Sequence, residues 1–464
     1  IKIIAANVIL DCGGYNITSN QSVSGVFSNQ TNTTVKNCYV DIGSSSGGYC
    51  IEFVGVNNSN IMNTTTNGQN TGIYLTSSSN NTLSNITSNS NKYGITLSSS
   101  SNNTLSNITS NSNTYGITLS SSSNNNNLTN TTSNSNTYGI TLSSSSNNTL
   151  TNITSNSNFF GIYFESSSNN TLSNIISNSN SQRGIYFVFS SSNNTLSNII
   201  SNSNKYGITL SVSSNNILID IISTLNTVYG IYLDEASNNI LLNATYSNES
   251  VDSTSQLIRK WYYQSHVTDN SSTNVANASV LAYNVSGDLT MNLTTNATGW
   301  TPVGNITDYI NSGGTKVYQS SYILAANANQ TLWDSHNYNV TSSQNNLNDS
   351  FIVNIDVTLP TQSGTIWTAT SSDVVINWTT NEGSNSSVTY WASPGTTVGN
   401  NKFVISHTVT LTGLGSNTTY NYYYTSCDFS GNCVNSDNFT FTTAELNQVT
   451  TGTKEPGFAS PFHI

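Results

Sequence analysis

Residues 80–101 read NNTLSNITSNSNKYGITLSSSS, and variants of this unit recur about every 22 to 24 residues between Asn57 and Leu242. One column of the repeat is leucine: Leu83, Leu105, Leu128, Leu150, Leu172, Leu196, Leu218 and Leu241. Another is glycine: Gly72, Gly94, Gly116, Gly139, Gly161, Gly184, Gly207 and Gly230. A period of this length signals a solenoid, in which each unit buries its apolar face only against its neighbours. Each unit holds two short apolar runs, Thr-Leu-x-Asn-Ile and Gly-Ile-x-Leu, with strand-like alternation and no helical stripe. Ser and Asn between them oppose helix by bonding to local backbone. Two or three short strands per turn predict a parallel β-helix with strands about 4.8 Å apart between rungs.

The polar columns follow from that frame. Asn85, Asn107, Asn130, Asn152, Asn174 and Asn198 are expected to stack at a left-handed bend, each amide bonding the next. They are also expected to be inaccessible. The glycines read as tight corners, the serine tracts as turns in water, and Tyr93, Tyr115, Tyr138, Phe160, Tyr206 and Tyr229 as an aromatic ladder. Weaker copies, Thr34-Val35-Lys36-Asn37-Cys38 and Val8-Ile9-Leu10-Asp11-Cys12, extend the solenoid to about ten rungs. Cys12 and Cys38 share a column in adjacent rungs, so their Cα atoms fall within disulfide reach. Cys427 and Cys433 are close enough to staple a hairpin, which leaves Cys50 over.

Composition narrows the function. The 464 residues carry only 7% charged side chains and a net charge of −11. With no basic stripe, nucleic acid is a poor partner. The strict period and 10% aromatic content argue against disorder. No stretch approaches the roughly 20 apolar residues of a membrane span. Ile1 has no signal-peptide character, so the chain is expected to be processed or truncated. Asn-x-Ser/Thr sequons occur throughout, and Asn284, Asn296, Asn339, Asn385 and Asn417 are candidate N-glycosylation sites. No other cofactor is expected.

After Tyr246 the repeat stops, and all five prolines and all four histidines lie beyond it. The chain is therefore read as all-β: a β-helix over residues 1–250, β-sandwiches over 251–359 and 360–444, and a tail over 445–464. The opening rung NVILDCGGYNIT, the GIYL/GITL strands and the NNTLSN units resemble right-handed parallel β-helix proteins of the NosD and pectate-lyase-like type, in particular their archaeal surface relatives. NVANASVLAYN and TTNATGWTP resemble a transthyretin-like or carboxypeptidase-regulatory-like domain. VVINWTTNE, SSVTYW, HTVTLTGLGSNTTYNYYY and DNFTFTT resemble a fibronectin type III domain, which implies a core role for Trp378 and a tyrosine corner at Leu414 and Tyr420.

Chemistry is sparse in this sequence. The solenoid acids are Asp11, Asp41, Glu52, Glu165, Asp220, Asp234 and Glu235, with no histidine beside them. Glu165 and Asp234 share a column but stand about 14 Å apart at the strand spacing, beyond the roughly 5–9.5 Å used by glycosidase carboxylates. The copper handling that the NosD resemblance implies needs His, Met or Cys, and the solenoid offers Met62 and no histidine. No catalytic, cofactor or metal residue is assigned, and the chain is expected not to be an enzyme. Tyr74, Tyr163, Tyr186 and Tyr232 alternate with threonines in an outward column, a candidate contact face for sugars or a neighbouring subunit. Phe458, Phe462 and Ile464 form an apolar terminal segment expected to dock on another subunit. The sequence thus reads as a self-assembling extracellular coat, sheath or filament protein at the cell surface, a homo-oligomer. A glycan-binding adhesin is the second reading, and a polysaccharide-active enzyme the third.

Overall fold

A computed structural model describes residues 1–43, 47–319, 321–328, 332–391, 395–445 and 450–453; side chains are described through residue 445. The chain divides into two compact units, residues 1–260 with 310–317 and residues 261–309 with 318–464. The assembly segment Phe458, Phe462 and Ile464 lies outside the described residues.

The first unit is a parallel β-solenoid. Strands such as Tyr93–Ser98 pair in register with Tyr115–Ser120, Ile95 against Ile117 and Leu97 against Leu119. The Thr-Leu-x-Asn-Ile strands do likewise, Leu83 against Leu105 and Ile86 against Ile108. Because the register never slips, each column of the repeat becomes a line along the rod. All eight leucines of the column are fully buried, together with Ile95, Leu97 and their equivalents. The first sheet holds 12 strands, which gives about eleven turns rather than ten. The last turn comes from sequence that has lost the motif: Glu249–Val251 pairs with Tyr229–Asp234, and Leu257 to Lys260 with Asn239 to Leu242. Backbone pairing requires only an open edge, so the solenoid outlasts its repeat.

Three polar columns depart from expectation. The Asn85 line does adopt the left-handed bend (φ 53°) and does form an amide ladder, with Asn107 Nδ2 donating to Asn85 Oδ1 at 3.0 Å. It is solvent-exposed, however, not inaccessible. The buried amide ladders are other columns: one runs from Asn91 through Asn113 and Asn136 to Asn226, and the other is Asn81, Asn103, Asn126, Asn148, Asn170, Asn194, Asn216 and Asn239. There the Oδ1 of each accepts the backbone N–H of the residue one rung earlier, as from Asn126 to Asn148 at 2.8 Å. The serine tract is likewise not all in water. Ser145 is fully buried; its Oγ accepts the Ser123 N–H at 3.2 Å and donates to the Ser143 carbonyl at 3.0 Å. The glycines, finally, are not tight corners but lie inside strands, Gly94 in Tyr93–Ser98 and Gly139 in Tyr138–Ser143. A Cβ on Gly139 would stand 2.1 Å from Ser155 Oγ and 2.4 Å from the Gly161 carbonyl, so close approach between rungs is what demands glycine.

The second unit is mostly antiparallel, with a parallel pairing that sets Tyr263 to Asp269 against Asn346 to Val353. One sheet orders Leu289–Thr294, Ser279–Tyr283, Ser321–Ala328 and Leu332–Asn339. The other centres on the long strand Val374–Trp391, paired with Gln362–Ala369, Thr396–Leu411 and Thr419–Cys427. Trp378 is buried in the latter, stacked on Tyr424 at 4.6 Å with its Nε1 donating to Ser426 Oγ at 3.0 Å. Leu414 is buried, and Tyr420 Oη accepts the Gly415 N–H at 2.9 Å.

These positions separate by experiment. Leu150→Asp and Ser145→Asp each place a carboxylate in a dry rung and are expected to cost about 3 kcal/mol or more. Ser144→Asp, at an exposed left-handed position beside them, is expected to stay within about 0.5 kcal/mol. Chemical denaturation of the three variants checks this. A silent Ser145→Asp contradicts the buried assignment.

Candidate functional site

The outer face of the first solenoid sheet carries the densest arrangement of chemistry-bearing side chains. In each strand the residue before the glycine and the residue three positions later both face outward and are mostly half-buried. The sequence showed these as two separate columns; the structure merges them. Tyr93, Tyr115 and Tyr138 stack face to face at 5.0 and 4.8 Å. Beyond Tyr138 the order changes. Phe160 tilts against Tyr138 at 5.3 Å, Tyr163 meets Tyr138 and Tyr186 edge-on at 5.6 and 5.5 Å, and Tyr206 tilts against Tyr229 and Tyr232 at 6.2 and 5.6 Å. Face-to-face rings consume one another's π surfaces, whereas tilted rings leave faces for another molecule. The strip is thus a packed ladder at one end and a mostly tilted aromatic surface at the other, where Tyr229 and Tyr232 again lie parallel at 5.8 Å.

Of the four candidate contact tyrosines, Tyr163, Tyr186 and Tyr232 belong to this tilted part. Tyr74 stands apart, stacked on Tyr49 at 4.9 Å. Two threonines of the same column are covered, Thr141 at 7% exposed and Thr209 fully buried, and Thr96 and Thr118 are half-buried. The hydroxyls of all four make no hydrogen bond among the described residues. Burial first, then the nearby Glu165 charge, pushes the Tyr163 hydroxyl up to about 12, so it stays a neutral donor. Sequence reasoning missed Arg183, which occupies the aromatic column and lies over Tyr186 at 4.2 Å, Tyr206 at 5.1 Å and Phe160 at 5.9 Å. The signal was present, a lone cation in a line of aromatic rings.

The remaining candidates are dispersed. Cys12 is joined to Cys38 with Cα atoms 4.9 Å apart, and Cys427 to Cys433 at 4.0 Å. Cys50 is free and buried. Asn296, Asn339 and Asn417 are exposed, while Asn284 and Asn385 are half-buried. Asn385 Oδ1 accepts the Cys427 N–H at 3.0 Å. Glu165 accepts from Ser143 Oγ at 3.1 Å and Asp234 from Ser211 Oγ at 3.0 Å, in the first and last rungs of the tilted part.

Comparison with known proteins now has a geometry to meet. Residues 14–196 match the family model described as periplasmic copper-binding protein (NosD), and residues 129–287 match the right handed beta helix region. The first unit is therefore a right-handed β-helix. No curated protein matches the chain. Among solved structures, a mutant of the periplasmic alginate epimerase AlgG is similar at 14% identity and a TM-score of 0.45, over 54% of this chain and 74% of its own. The A-module of the mannuronan C-5 epimerase AlgE6 from Azotobacter vinelandii covers 49% and 69% at 14% identity and a TM-score of 0.42. DFA-IIIase from Arthrobacter chlorophenolicus A6 covers 51% and 73% at 10% identity and a TM-score of 0.40. The expectation that the chain is not an enzyme is overturned by these neighbours. Enzymes that act on alginate and mannuronan share the β-helix fold, and a solenoid poor in acids is no ground for excluding activity. The NosD family and AlgG are both described as periplasmic. Among the described residues no helix is long and apolar enough to cross a membrane.

Copper does not fit the residues present. Copper favours imidazole, thiolate and thioether ligands, yet the matched region has no histidine. Its one thiol outside a disulfide, Cys50, is pushed up to about 12 by burial and so held protonated. Among the described residues, the group of three close His/Cys/Asp/Glu ligands is Asp356, Glu382 and Asp428, all oxygen donors and outside the matched region.

Two histidines of the second unit titrate in opposite senses. Burial pushes His407 down to about 4; it stacks on Trp378 at 4.8 Å, with Ser386 Oγ 2.7 Å from Nδ1 and Thr380 Oγ1 2.9 Å from Nε2. Burial would also lower His336, but its hydrogen bond to Asp349 at 3.1 Å and that carboxylate's charge raise it. An unfolded histidine takes up a proton below about 6.5, which folded His407 refuses until about pH 4. Its contribution to stability is thus present above 6.5 and falls by about 3 kcal/mol toward pH 4. His336 contributes the reverse, stability present below 6.5 and lost as pH rises through its folded value. Denaturant unfolding between neutral pH and pH 4 is expected to show a shallower loss in His407→Leu than in the native chain. Equal slopes contradict the buried neutral state.

Proposed function

We propose that this chain is an extracellular structural protein, a subunit of a self-assembling coat, sheath or filament at the cell surface. One observation carries the proposal: every turn from Asn81 to Asn239 is tied to the next by the same buried side-chain amide, beside the ordinary backbone ladder. Such a solenoid is stiff along its axis, because bending it must lengthen many short hydrogen bonds at once. A stiff first unit, and exposed sequons at Asn296, Asn339 and Asn417 in the second, suit an outward-facing layer. N-linked glycans on these and the other candidate sites, self-association, and a place among archaeal-type surface proteins belong to the same proposal.

A second reading is favoured by a different observation, the tilted aromatic surface around Tyr163 and Tyr186. Tyrosine faces left open by edge-on packing suit pyranose rings, which makes a glycan-binding adhesin the alternative.

Negative-stain microscopy of native material separates the two. Filaments or a lattice are expected for a coat subunit; monodisperse single particles at high protein concentration contradict it. A glycan-array signal that Tyr163→Ala and Tyr186→Ala both reduce at least tenfold supports the adhesin, and an array without signal rejects it.

A further inference from the structure

Arg183 is a planar cation inserted into a line of rings. The column before the glycines runs Tyr93, Tyr115, Tyr138, Phe160, Arg183, Tyr206 and Tyr229. A guanidinium can hold a place in an aromatic stack, which explains why the column tolerates it. It does not explain why its charge is unanswered. Among the described residues no carboxylate pairs with Arg183, none of its N–H groups finds an acceptor, and its Nε is buried without a partner. Half-burying a cation without a counter-charge costs free energy, and contact with rings offsets only part of it. In the next rung Thr209 Oγ1 is likewise buried and unpartnered. That hydroxyl is covered and shares its state with Thr96, Thr118 and Thr141, whereas Arg183 is only half-buried.

The charges around Arg183 point one way. Lys205 lies over Tyr206 at 5.8 Å and Lys92 over Tyr93 at 5.3 Å, so the cations follow the same edge of the sheet as Arg183. The acids Glu165 and Asp234 occupy the other end of their strands, where Val188 stands in the rung of Arg183. A ligand reaching Arg183 from the lysine edge meets rings and positive charge. Rungs repeat at the 4.8–5.0 Å separation of the stacked rings, comparable to the advance per sugar in an extended glycan.

We infer that the strip from Phe160 to Tyr232 binds an extended anionic polysaccharide, its sugar rings lying along the rungs and a carboxylate or sulfate held by the guanidinium of Arg183. Arg183 supplies paired donors in a plane, the geometry that carboxylate and sulfate oxygens accept, while Phe160, Tyr186 and Tyr206 provide ring contact on either side. This inference rests on the glycan-binding reading and gives it a chemistry.

Affinity electrophoresis of the full chain tests it, with polygalacturonate, dextran sulfate or neutral dextran in the gel. Retardation is expected in an anionic polymer and not in neutral dextran, and the better anionic polymer tells carboxylate from sulfate. Arg183→Gln is expected to weaken that retardation at least tenfold, and Arg183→Lys, which keeps charge and length but not the fork, to recover only part. Lys402→Gln in the second unit is expected to change nothing. Thermal melts confirm that the variants fold; if Arg183→Gln does not, Arg183→Lys decides alone. Equal retardation in neutral dextran with Arg183→Gln and Arg183→Lys unchanged overturns the role of Arg183 and leaves glycan binding standing. No retardation in any polymer overturns both.

Discussion

The solenoid depends on one interaction, the hydrogen bond from a backbone N–H in one rung to a buried asparagine Oδ1 in the next. Between strands some backbone groups still pair rung to rung, Ser99 N–H with the Ser120 carbonyl at 3.1 Å, but others, such as the N–H of Ser100 and Asn103, meet no carbonyl and turn to a side chain. In a chain this poor in charge, and with only two apolar runs per turn, those turn amides would be buried without partners, at about 1–3 kcal/mol each. The Asn81 column supplies the acceptor at every rung, the Ser100 column supplies another, and the Ser110 column closes on the glycine carbonyls. The glycine column then follows from crowding, since a Cβ would occupy the space of those serine hydroxyls.

The leucine and isoleucine columns were legible because apolar alternation is a period-two signal that burial must obey. The disulfide pairing of Cys12 with Cys38 was legible for the same reason, column identity fixing distance. Which polar column is buried was not legible. Asn81 and Asn85 are the same residue type four positions apart, and only the path of the turn sends one inward and leaves the other in water. Ser144 and Ser145 differ in the same way. The end of the solenoid was hidden too, because Glu249–Val251 extends the sheet with a single buried apolar residue, Val251, and none of the repeat's motif. At the contact face, the merging of two outward columns into one strip required the third dimension, and Arg183 stood out only once its neighbours were known to be rings.

Function is constrained by the same economy. The polar groups of the rungs are largely committed to holding rung to rung, which favours stiffness over chemistry at buried positions. Whatever the chain recognises must therefore be met on its outer faces, and the aromatic strip is where ring surface and unpaired charge coincide. The absence of histidine from the solenoid bears on copper chemistry, which favours imidazole among its ligands.

Native-state hydrogen exchange on an Asn148→Ala variant tests the central claim most directly. Removing that amide leaves the Asn126 N–H without its 2.8 Å acceptor in a site too tight for easy repair. Protection is expected to fall by one to two orders of magnitude across the rungs on either side, matching a loss of about 1–3 kcal/mol, with distant rungs unaffected. Protection at Asn126 and its neighbours equal to that of the native chain would show that the buried amide column does not hold the rungs together.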